Sequence, residues 1–385
     1  MPQTVDTETE SMLRESVRAF VKKEVAPIAK KIDREDQFPV EVFRKMGKLG
    51  FLGVTIPEEY GGSAMGYRAQ GIIEEELGYA SASLGLSYGA HSNLCMDSIY
   101  RNGSPEIRET YLPKLCSGEW IGSLCLTEPE SGSDALAMKT HAEKADGGWK
   151  ITGSKTLITN APLADIFVVY AKTGDSLSAF VALATDSGLS RGKKFDKMGM
   201  RGSPTGELFF DSMYIPDNRT LGAIGVGKDI IMSGLNLERV ILSFIFIGLA
   251  RRGIEMSVQY ASSRKQGGKP IGDRELIQEK LAYMYTRYET SKMLCYRAVD
   301  EVSKDPMNVL SAASCILYTT EAAEYIAREA LQIWGGMGYV SDSEVERLLR
   351  DAVLGQIGAG TTEIRKKLVG HELIKNYVKN GRLPE

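Results

Sequence analysis

The stretch LCLTEPESGSD, residues 124–134, brings hydroxyl side chains and a glycine together at one point of the chain. Hydroxyl groups and exposed backbone N–H groups donate hydrogen bonds to anionic oxygens and to ring nitrogens. Such a loop suits the edge of a flavin or a phosphate group. The same composition is typical of a turn-rich connection between strands, so these residues alone leave both interpretations open.

One carboxylate, Glu238, stands at the edge of an apolar run in LNLERVIL, residues 235–242. Desolvation at such a position raises the pKa of a carboxyl group toward the neutral range in which a general base works. Without further information, a solvated residue in the first turns of a helix is the simpler interpretation of Glu238.

A third stretch, LGQIGAGTTEIRKK at residues 354–367, has three consecutive small residues shortly before a basic helical run begins. Gly358, Ala359 and Gly360 precede Thr361, at which a helix is expected to begin. The beginning of a helix favours an anionic group nearby. The bare residues raise the question of which side chain is missing.

Other kinds of chemistry are disfavoured by the composition. The five cysteines are odd in number and lack Cys-x-x-Cys spacing, and the three histidines lie far apart. We therefore expect neither a disulfide framework, nor a metal site, nor a Ser-His-Asp hydrolase. A net charge of -3 with mixed signs offers no basic face to nucleic acid.

The membrane and targeting signals are equally weak. The first residues, MPQTVDTETESMLRES, lack an apolar core and an Arg-rich character, which predicts a cytoplasmic protein. The most apolar run, residues 240–250, is about half of what a bilayer crossing needs. We expect it to be a buried helix and the protein to have no membrane contact.

The elements that must position these residues fall into three regions. Residues 1–120 have helical periodicity, and residues 121–231 show short β-branched and aromatic runs separated by turn signals. Residues 232–385 return to long helical patterns. This order predicts an α+β chain with an N-terminal helical domain, a middle antiparallel β domain and a C-terminal antiparallel helical bundle.

Four motifs then occur in a telling order: TEPESGSD at 127–134, KITGSKTLITNAPLADIFVVYAK at 150–172, KMGMRGS at 197–203 and QIWGGMGY at 332–339. In this order and spacing they resemble the acyl-CoA dehydrogenase family over nearly the whole chain. SYGAHSNLC, SGLNLER, YMYTR and IGAGTTE are most similar to its isovaleryl-type members. The resemblance implies the same three domains, the third being a four-helix bundle, in a homotetramer.

The resemblance also implies a reaction. Members of the family bind FAD without a covalent bond, and a carboxylate removes the α-proton of an acyl-CoA while hydride leaves the β-carbon for the flavin. The electrons then pass to an electron-transfer flavoprotein. We therefore expect an FAD-dependent acyl-CoA dehydrogenase with an acyl-CoA substrate and that partner.

The missing side chain is then the usual base. Most members carry the catalytic Glu in a Tyr-Glu-Gly-Thr motif, and the matching tetrad here begins at Gly358 with Ala359 in place of Glu. Isovaleryl-type and long-chain members place the base in Leu-x-x-Glu-Arg, which matches Glu238. The resemblance further implies that the Ala359 N–H and a ribityl hydroxyl of FAD bind the thioester oxygen.

The bare tetrad also bears on the substrate. Gly358 and Ala359 leave volume beside the reacting carbons, which would admit a methyl branch at C3. This fits isovaleryl-CoA and equally fits longer 3-methyl-branched groups of the citronellyl type.

Further site residues follow from the resemblance. Those expected to contact FAD are Leu126, Thr127, Ser133, Ile158, Thr159, Arg264, Gln332, Gly336, Thr361 and Glu363. Of these, Arg264, Gln332 and Gly336 are expected to reach the cofactor across a subunit interface. Those expected to contact the substrate are Leu94, Ser133, Arg239, Gly358, Ala359 and Gly360.

Two positions depart from the family pattern. Leu157 replaces a Trp that covers the flavin, and Gly267 replaces an aromatic residue that packs on the cofactor. Lost aromatic contacts predict weaker FAD retention or easier access to the flavin. An acyl-CoA oxidase, whose reduced flavin reacts with oxygen, therefore remains an alternative. Nucleic-acid-binding relatives need an added basic region, which this sequence lacks.

Overall fold

The computed structural model of the chain describes residues 7–384, and residues 1–6 and 385 of the predicted first and third domains lie outside them. A helical region comes first, a β region follows, and a second helical region ends the chain. The predicted architecture is therefore confirmed. The domain boundaries stay predictions, and the long helix at the second boundary begins at Gly227, ahead of residue 232.

The N-terminal region consists of α1 Glu8–Phe20, α2 Ala29–Glu35, α3 Val40–Lys48, α4 Gly66–Ala80, α5 Ala82–Tyr88, α6 Ser98–Asn102 and α7 Pro105–Cys116. A reciprocal capping pair begins α1, because the Thr7 hydroxyl accepts from the Glu10 N–H at 3.2 Å and the Glu10 carboxylate accepts from the Thr7 N–H at 2.7 Å. Between α5 and α6, residues Gly89–Asp97 form a π-helical segment. Wider π-helical turns of this kind are often found at functional sites.

The middle region consists of β1 Gly122–Cys125, β2 His141–Ala145, β3 Gly148–Thr159, β4 Ile166–Thr173, β5 Ser176–Leu183, β6 Leu189–Lys194, β7 Thr205–Pro216 and β8 Thr220–Leu221. Their order in the sheet is β6-β7-β3-β2-β4-β5-β8. Gly147 and Gly174, both with φ of 64°, stand in the turns of the β2–β3 and β4–β5 hairpins.

The sheet is not purely antiparallel, which corrects one part of the prediction. Strand β1 pairs with β4 in parallel, from Gly122 opposite Ile166 to Cys125 opposite Val169. Two parallel strands need a long connection between them, and here the β2–β3 hairpin forms that connection between β1 and β4. The parallel pair fixes the end of β1, from which the TEPESGSD loop leaves.

The C-terminal region consists of α8 Gly227–Ser263, a hairpin of β9 Lys265–Gln266 and β10 Lys269–Pro270, α9 Glu275–Lys304, α10 Val309–Trp334, α11 Val345–Val353 and α12 Thr362–Asn380. Helices α8, α9, α10 and α12 pack together as the bundle. Tyr260 of α8 stacks on Trp334 of α10 with ring centroids 4.3 Å apart.

Helix α8 is the central helix of the molecule. By length and composition it could cross a membrane, but 72% of its most apolar window is buried inside the protein. It also packs closely on α4, because a Cβ on Gly248 would lie 2.0 Å from the Glu75 carbonyl oxygen and a Cβ on Gly78 would lie 2.3 Å from the Ile245 carbonyl oxygen. Glycine at these two positions lets the N-terminal helices reach the helix that carries Glu238.

Candidate active site

Glu238 lies in α8 as a half-buried residue. Among residues 7–384 its carboxylate takes part in no hydrogen bond and no ion pair. Burial raises its pKa to about 7, while the positive charges of Arg239 and Arg365 act to lower it. A carboxylate that has an unoccupied proton-accepting oxygen and a pKa near neutrality has the properties of a general base.

The bare loop, residues 354–361, is held by its backbone. The Arg365 guanidinium is fully buried and donates to the Gly355 carbonyl at 2.6 Å, to the Thr320 hydroxyl at 3.1 Å and to the Gly358 carbonyl. Burial and the charge of Arg239 lower the pKa of Arg365 to about 10, so it stays charged at neutral pH. The two carbonyl contacts hold the loop through its backbone, and the Gln356 side chain adds a hydrogen bond to the Glu324 carboxylate.

Arg239 holds the same loop from the other side. It is only 5% exposed, and its Nε donates to the Ala359 carbonyl at 3.3 Å. Its Nη1 donates to Asn236 Oδ1 at 2.9 Å, and Asn236 in turn donates to the Pro306 carbonyl at 3.0 Å. The structure thus places Arg239 between Glu238 and the loop, and the predicted contact of Arg239 with CoA stays a prediction.

The backbone of the loop is left-handed at Ala359, whose N–H is the predicted donor to the thioester oxygen. Ala359 has φ of 54° and Gly360 has φ of 90°. In the part of the chain that the structure describes, the Ala359 N–H donates to no protein acceptor. Gly358 differs, because its φ is not left-handed and a Cβ there would meet only Leu354 atoms at 3.5 Å or more. Glycine at 358 therefore leaves space that a side chain could occupy.

The predicted flavin residues of the β region lie on neighbouring segments. Thr127 follows β1, and its carbonyl accepts from the Thr156 N–H at 2.9 Å. Thr159 ends β3, and its carbonyl accepts from the Ser123 hydroxyl at 2.6 Å. Leu126 and Ile158 are buried beside them. The structure therefore brings these four residues together at the ends of strands β1 and β3.

A buried ion pair, which the sequence did not reveal, lies beside these residues. The Lys155 ammonium donates to the Leu126 carbonyl at 3.0 Å and to the Glu128 carboxylate at 2.9 Å, and Lys155 is 0% exposed. Glu128 also accepts from the N–H groups of Lys139 at 2.5 Å and Thr140 at 3.0 Å. No pattern in the neighbouring residues indicates that Lys155 is buried or that Glu128 is its partner.

The remaining predicted residues are more scattered. Ser133 is exposed in the loop after β1, and Leu94 is half-buried in the π-helical segment. Thr361 caps α12 by accepting from the Ile364 N–H at 3.4 Å, and Glu363 is exposed in the first turn.

Three predicted FAD residues lie far from Glu238. Arg264, Gln332 and Gly336 are exposed at the far ends of α8 and α10. Arg264 comes 26 positions after Glu238 along α8, which corresponds to roughly 39 Å. This is further than one cofactor bound at Glu238 extends, so these residues do not belong to the same site in one chain.

Comparison with known protein families decides the identity of the chain. Family models described as the acyl-CoA dehydrogenase N-terminal, middle and C-terminal domains match residues 7–119, 123–213 and 225–374. The chain belongs to the acyl-CoA dehydrogenase family. It is therefore an acyl-CoA dehydrogenase and binds FAD.

Relatives of this acyl-CoA dehydrogenase differ in their substrates. The mitochondrial isovaleryl-CoA dehydrogenase of Solanum tuberosum is 42% identical over 96% of this chain and 91% of its own length. The mitochondrial 2-methylacyl-CoA dehydrogenase of the same plant is 40% identical over the same shares. A solved glutaryl-CoA dehydrogenase with bound glutaryl-CoA superposes with a TM-score of 0.94 at 35% identity, over 99% of this chain and 98% of that chain.

The residues present in this acyl-CoA dehydrogenase fit FAD. Within residues 7–384, the hydroxyls of Thr127 and Thr159 and the backbone N–H groups of Leu126 and Thr127 have no protein partner. Half-buried donors without partners suit the polar edge of a flavin ring. The same described part of the chain contains no group of three or more His, Cys, Asp or Glu residues that could hold a metal ion.

The two departures of this acyl-CoA dehydrogenase have visible local causes. Leu157 lies in a β-bulge of β3 with φ of 56° and is 60% exposed. Gly267 and Gly268, with φ of 60° and 81°, form the two-residue turn of the β9–β10 hairpin. Two left-handed positions in succession favour Gly-Gly over an aromatic residue.

Proposed function

We propose that the chain dehydrogenates a 3-methyl-branched acyl-CoA of the isovaleryl type to the 2-enoyl-CoA, with Glu238 as the base. The observation that carries the proposal is the unpaired Glu238 carboxylate beside a loop that lacks the usual Glu. Arg239 connects the two directly, because it follows Glu238 in α8 and donates to the Ala359 carbonyl.

The residues of the chain divide the work as follows. Glu238 accepts the proton from C2 of the acyl group, and the Ala359 N–H donates to the thioester oxygen on which negative charge develops. Arg239 and Arg365 hold the loop so that this donor stays in place. FAD, when bound, supplies the acceptor for the hydride from C3.

The space beside Gly358 supports a branched substrate. A methyl branch needs volume near C3, and Gly358 leaves that volume free. The backbone at 358 is not left-handed, so backbone strain does not require glycine at this position. Relatives with 3-methyl and with 2-methyl substrates are similarly close in sequence, so the position of the branch rests on the site and not on the relatives. One loop does not set chain length, and longer citronellyl-type groups remain a second candidate.

We infer that the electrons pass to an electron-transfer flavoprotein, as in the family that the sequence resembles. The exposed Leu157 supports a second candidate, an oxidase, because a small aliphatic side chain covers less of the flavin than Trp. Comparing reduction of a flavoprotein or a dye with release of hydrogen peroxide separates the two. Stoichiometric peroxide with isovaleryl-CoA would overturn the dehydrogenase proposal.

We also propose a homotetramer in which each FAD contacts two chains. The distance of Arg264, Gln332 and Gly336 from Glu238 supports this, since they can serve only a cofactor held by another copy. Exposed apolar side chains on α12, namely Ile374 at 69%, Tyr377 at 57% and Val378 at 81%, suit such contacts.

The test is Glu238→Gln in the FAD-loaded enzyme. The variant keeps the shape of the side chain but accepts no proton, so anaerobic bleaching of the flavin by isovaleryl-CoA should slow by several orders of magnitude while substrate binding persists. Glu279→Gln, at an exposed Glu on α9, is the matched control and should leave bleaching unchanged. Unchanged bleaching in Glu238→Gln would end the assignment, and a panel of straight and branched acyl-CoAs then identifies the substrate.

A further inference from the structure

A buried group of polar side chains lies between α4 and the π-helical segment Gly89–Asp97, outside the site described above. Gln70 and Glu74, one turn apart on α4, are each 0% exposed, and Ser92 on the π-helical segment is also 0% exposed. Asn93 joins the two elements, because its Nδ2 donates to Gln70 Oε1 at 3.2 Å. The group is therefore sealed from bulk solvent.

Four atoms of this group have no partner. Within the described residues they are Gln70 Nε2, Glu74 Oε1, Glu74 Oε2 and Ser92 Oγ. Buried polar atoms are nearly always hydrogen-bonded, and leaving one unpaired costs about 1–3 kcal/mol. Four unpaired atoms in one place therefore require a ligand.

Two glycines, Gly85 and Gly89, leave space for the carboxyl group of Glu74. A Cβ on Gly85 would lie 3.0 Å from Glu74 Oε2, and a Cβ on Gly89 would lie 2.7 Å from Glu74 Oε1. Gly85 and Gly89 are one turn apart, so the absence of two side chains on one helix face makes the room. The nearby Tyr88 hydroxyl donates to the Phe51 carbonyl at 3.0 Å, and its oxygen faces Ser92 and Gln70, so it offers the group an acceptor but no second donor.

Cations do not reach this carboxyl group. Arg14 and Arg251 bind the next two residues of α4, Glu75 and Glu76. Burial raises the pKa of Glu74 well above its usual value, and no charged neighbour opposes this shift. Burial therefore favours the protonated form of Glu74, which offers one O–H donor and one carbonyl acceptor.

We propose that Gln70, Glu74 and Ser92 form a buried hydration site that holds ordered water. The bond from Asn93 fixes the Gln70 amide, so that its NH₂ group donates into the site. Glu74 and Ser92 each donate and accept, so the ligand must do both. Water does both and is held by two to four polar partners in such sites, whereas the Gln70 NH₂ group would repel a cation.

The hydration site also ties α4 to the segment that carries Leu94. Asn93 makes the direct bond, and the water would complete the contact through Ser92 and Glu74.

A crystal structure of the FAD-loaded enzyme tests the proposal directly. We expect water density within hydrogen-bonding distance of Gln70 Nε2, the Glu74 carboxyl group and Ser92 Oγ, in the wild type and in Glu74→Gln. Glu74→Leu should expel it. A dry site in which the three side chains bond directly to one another would overturn the proposal, and so would density for a cation.

Stability gives an independent measurement. Because the folded pKa of Glu74 is raised, its contribution to stability is present below the ordinary pKa of a Glu and is lost as pH rises through the folded value. Tyr88 is the titratable group that faces it. The Tm of Glu74→Gln should therefore rise relative to the wild type with increasing pH, whereas Glu255→Gln on the exposed end of the Tyr79 hydrogen bond should follow the wild type. A pH-independent difference between Glu74→Gln and the wild type would overturn a neutral Glu74 and with it the proposal.

Discussion

A base needs a free oxygen and a pKa close to the working pH, and Glu238 obtains both from its position. Most acidic residues of this chain that are withdrawn from solvent are paired with a cation, as Glu76 is with Arg18 and Arg251. Those contacts hold the pKa of Glu76 at about 2, against the effect of burial. Glu238 has neighbouring positive charges but no ion pair, and its pKa lies about five units higher, at about 7.

The pH dependence of flavin reduction follows from this pKa. Glu238 must be deprotonated to accept a proton, so the reduction rate should rise with pH, reach half of its maximum near pH 7 and then become constant. Anaerobic stopped-flow measurements with saturating substrate check this profile. A rate that is constant across this range would show that another group, or another step, limits the reaction.

Gly358 provides a test of branch selection. Gly358→Ala should be tolerated, since a Cβ meets nothing closer than 3.5 Å. Gly358→Leu should fill the space beside C3 and lower kcat/KM for isovaleryl-CoA by roughly 10–200-fold relative to butyryl-CoA, the range that one misfitted methylene or methyl group produces in an apolar pocket. Equal losses for the two substrates would show that the space does not select the branch.

At this scale the sequence predicted residues whose role is local and missed those whose role depends on a distant partner. Glu238 and Ala359 could be named from their motifs. Arg365, Lys155 and Glu74 could not, because nothing in the neighbouring residues says that a guanidinium, an ammonium or a carboxyl group will be buried. Their partners lie 7 to 45 positions away for Arg365 and 27 or 29 positions away for Lys155.

At the scale of elements, the loop after β1 depends on the ion pair beneath it. Lys155 on β3 contacts the carbonyl of Leu126, and Glu128 fixes the far end of the loop through Lys139 and Thr140. The N–H groups of Leu126 and Thr127, which we propose face the flavin, are therefore held in place from β3.

Removing one member of this pair should weaken FAD binding. Lys155→Met leaves a buried carboxylate without its cation, and breaking such a pair costs about 3–5 kcal/mol. We expect a raised Kd for FAD together with a lowered Tm. Fluorescence titration of the apoenzyme with FAD measures the first, and thermal unfolding of the apoenzyme measures the second.

The neutral double variant and a surface pair serve as controls. Glu128→Gln with Lys155→Met removes both charges and should recover part of both losses. Lys139→Met breaks only the exposed contact with Glu130 and should change neither quantity. A Kd for FAD unaffected by Lys155→Met would show that the pair supports the fold alone.

The elements themselves were largely predictable. Long helical periodicity identified α8, α9 and α10, and Gly-containing turns identified two hairpins. The parallel pairing of β1 with β4 was missed because strand order is decided by contacts between distant segments. The π-helical segment was missed because Gly89–Asp97 packs against β1 and α8, and local propensity does not encode such contacts.

At the scale of the whole molecule, Glu238 and the C-terminal end of α8 belong to different active sites in the proposed assembly. Glu238 would serve the chain's own FAD and Arg264 that of a neighbour. Arg264→Ala alone should lower FAD affinity, and Glu238→Gln alone should abolish reduction.

Mixed assemblies make this prediction decisive. Co-expressing Glu238→Gln chains with Arg264→Ala chains should create sites in which both residues are wild type, and activity at limiting FAD should exceed that of either variant alone. Size-exclusion chromatography with light scattering reports the assembly state. Activity no higher than the average of the two parents would contradict shared sites.

Arg239 and Arg365 hold the loop by the carbonyls of residues 355, 358 and 359, so none of these contacts uses the side chain at 358 or 359. Its oxygen-binding donor is a main-chain group and cannot be lost by an ordinary substitution. A change of the side chain at 358 or 359 can therefore alter the room for the substrate without removing the main-chain donor. New specificity in this scaffold would then be sought at positions 358 and 359, with both arginines left untouched.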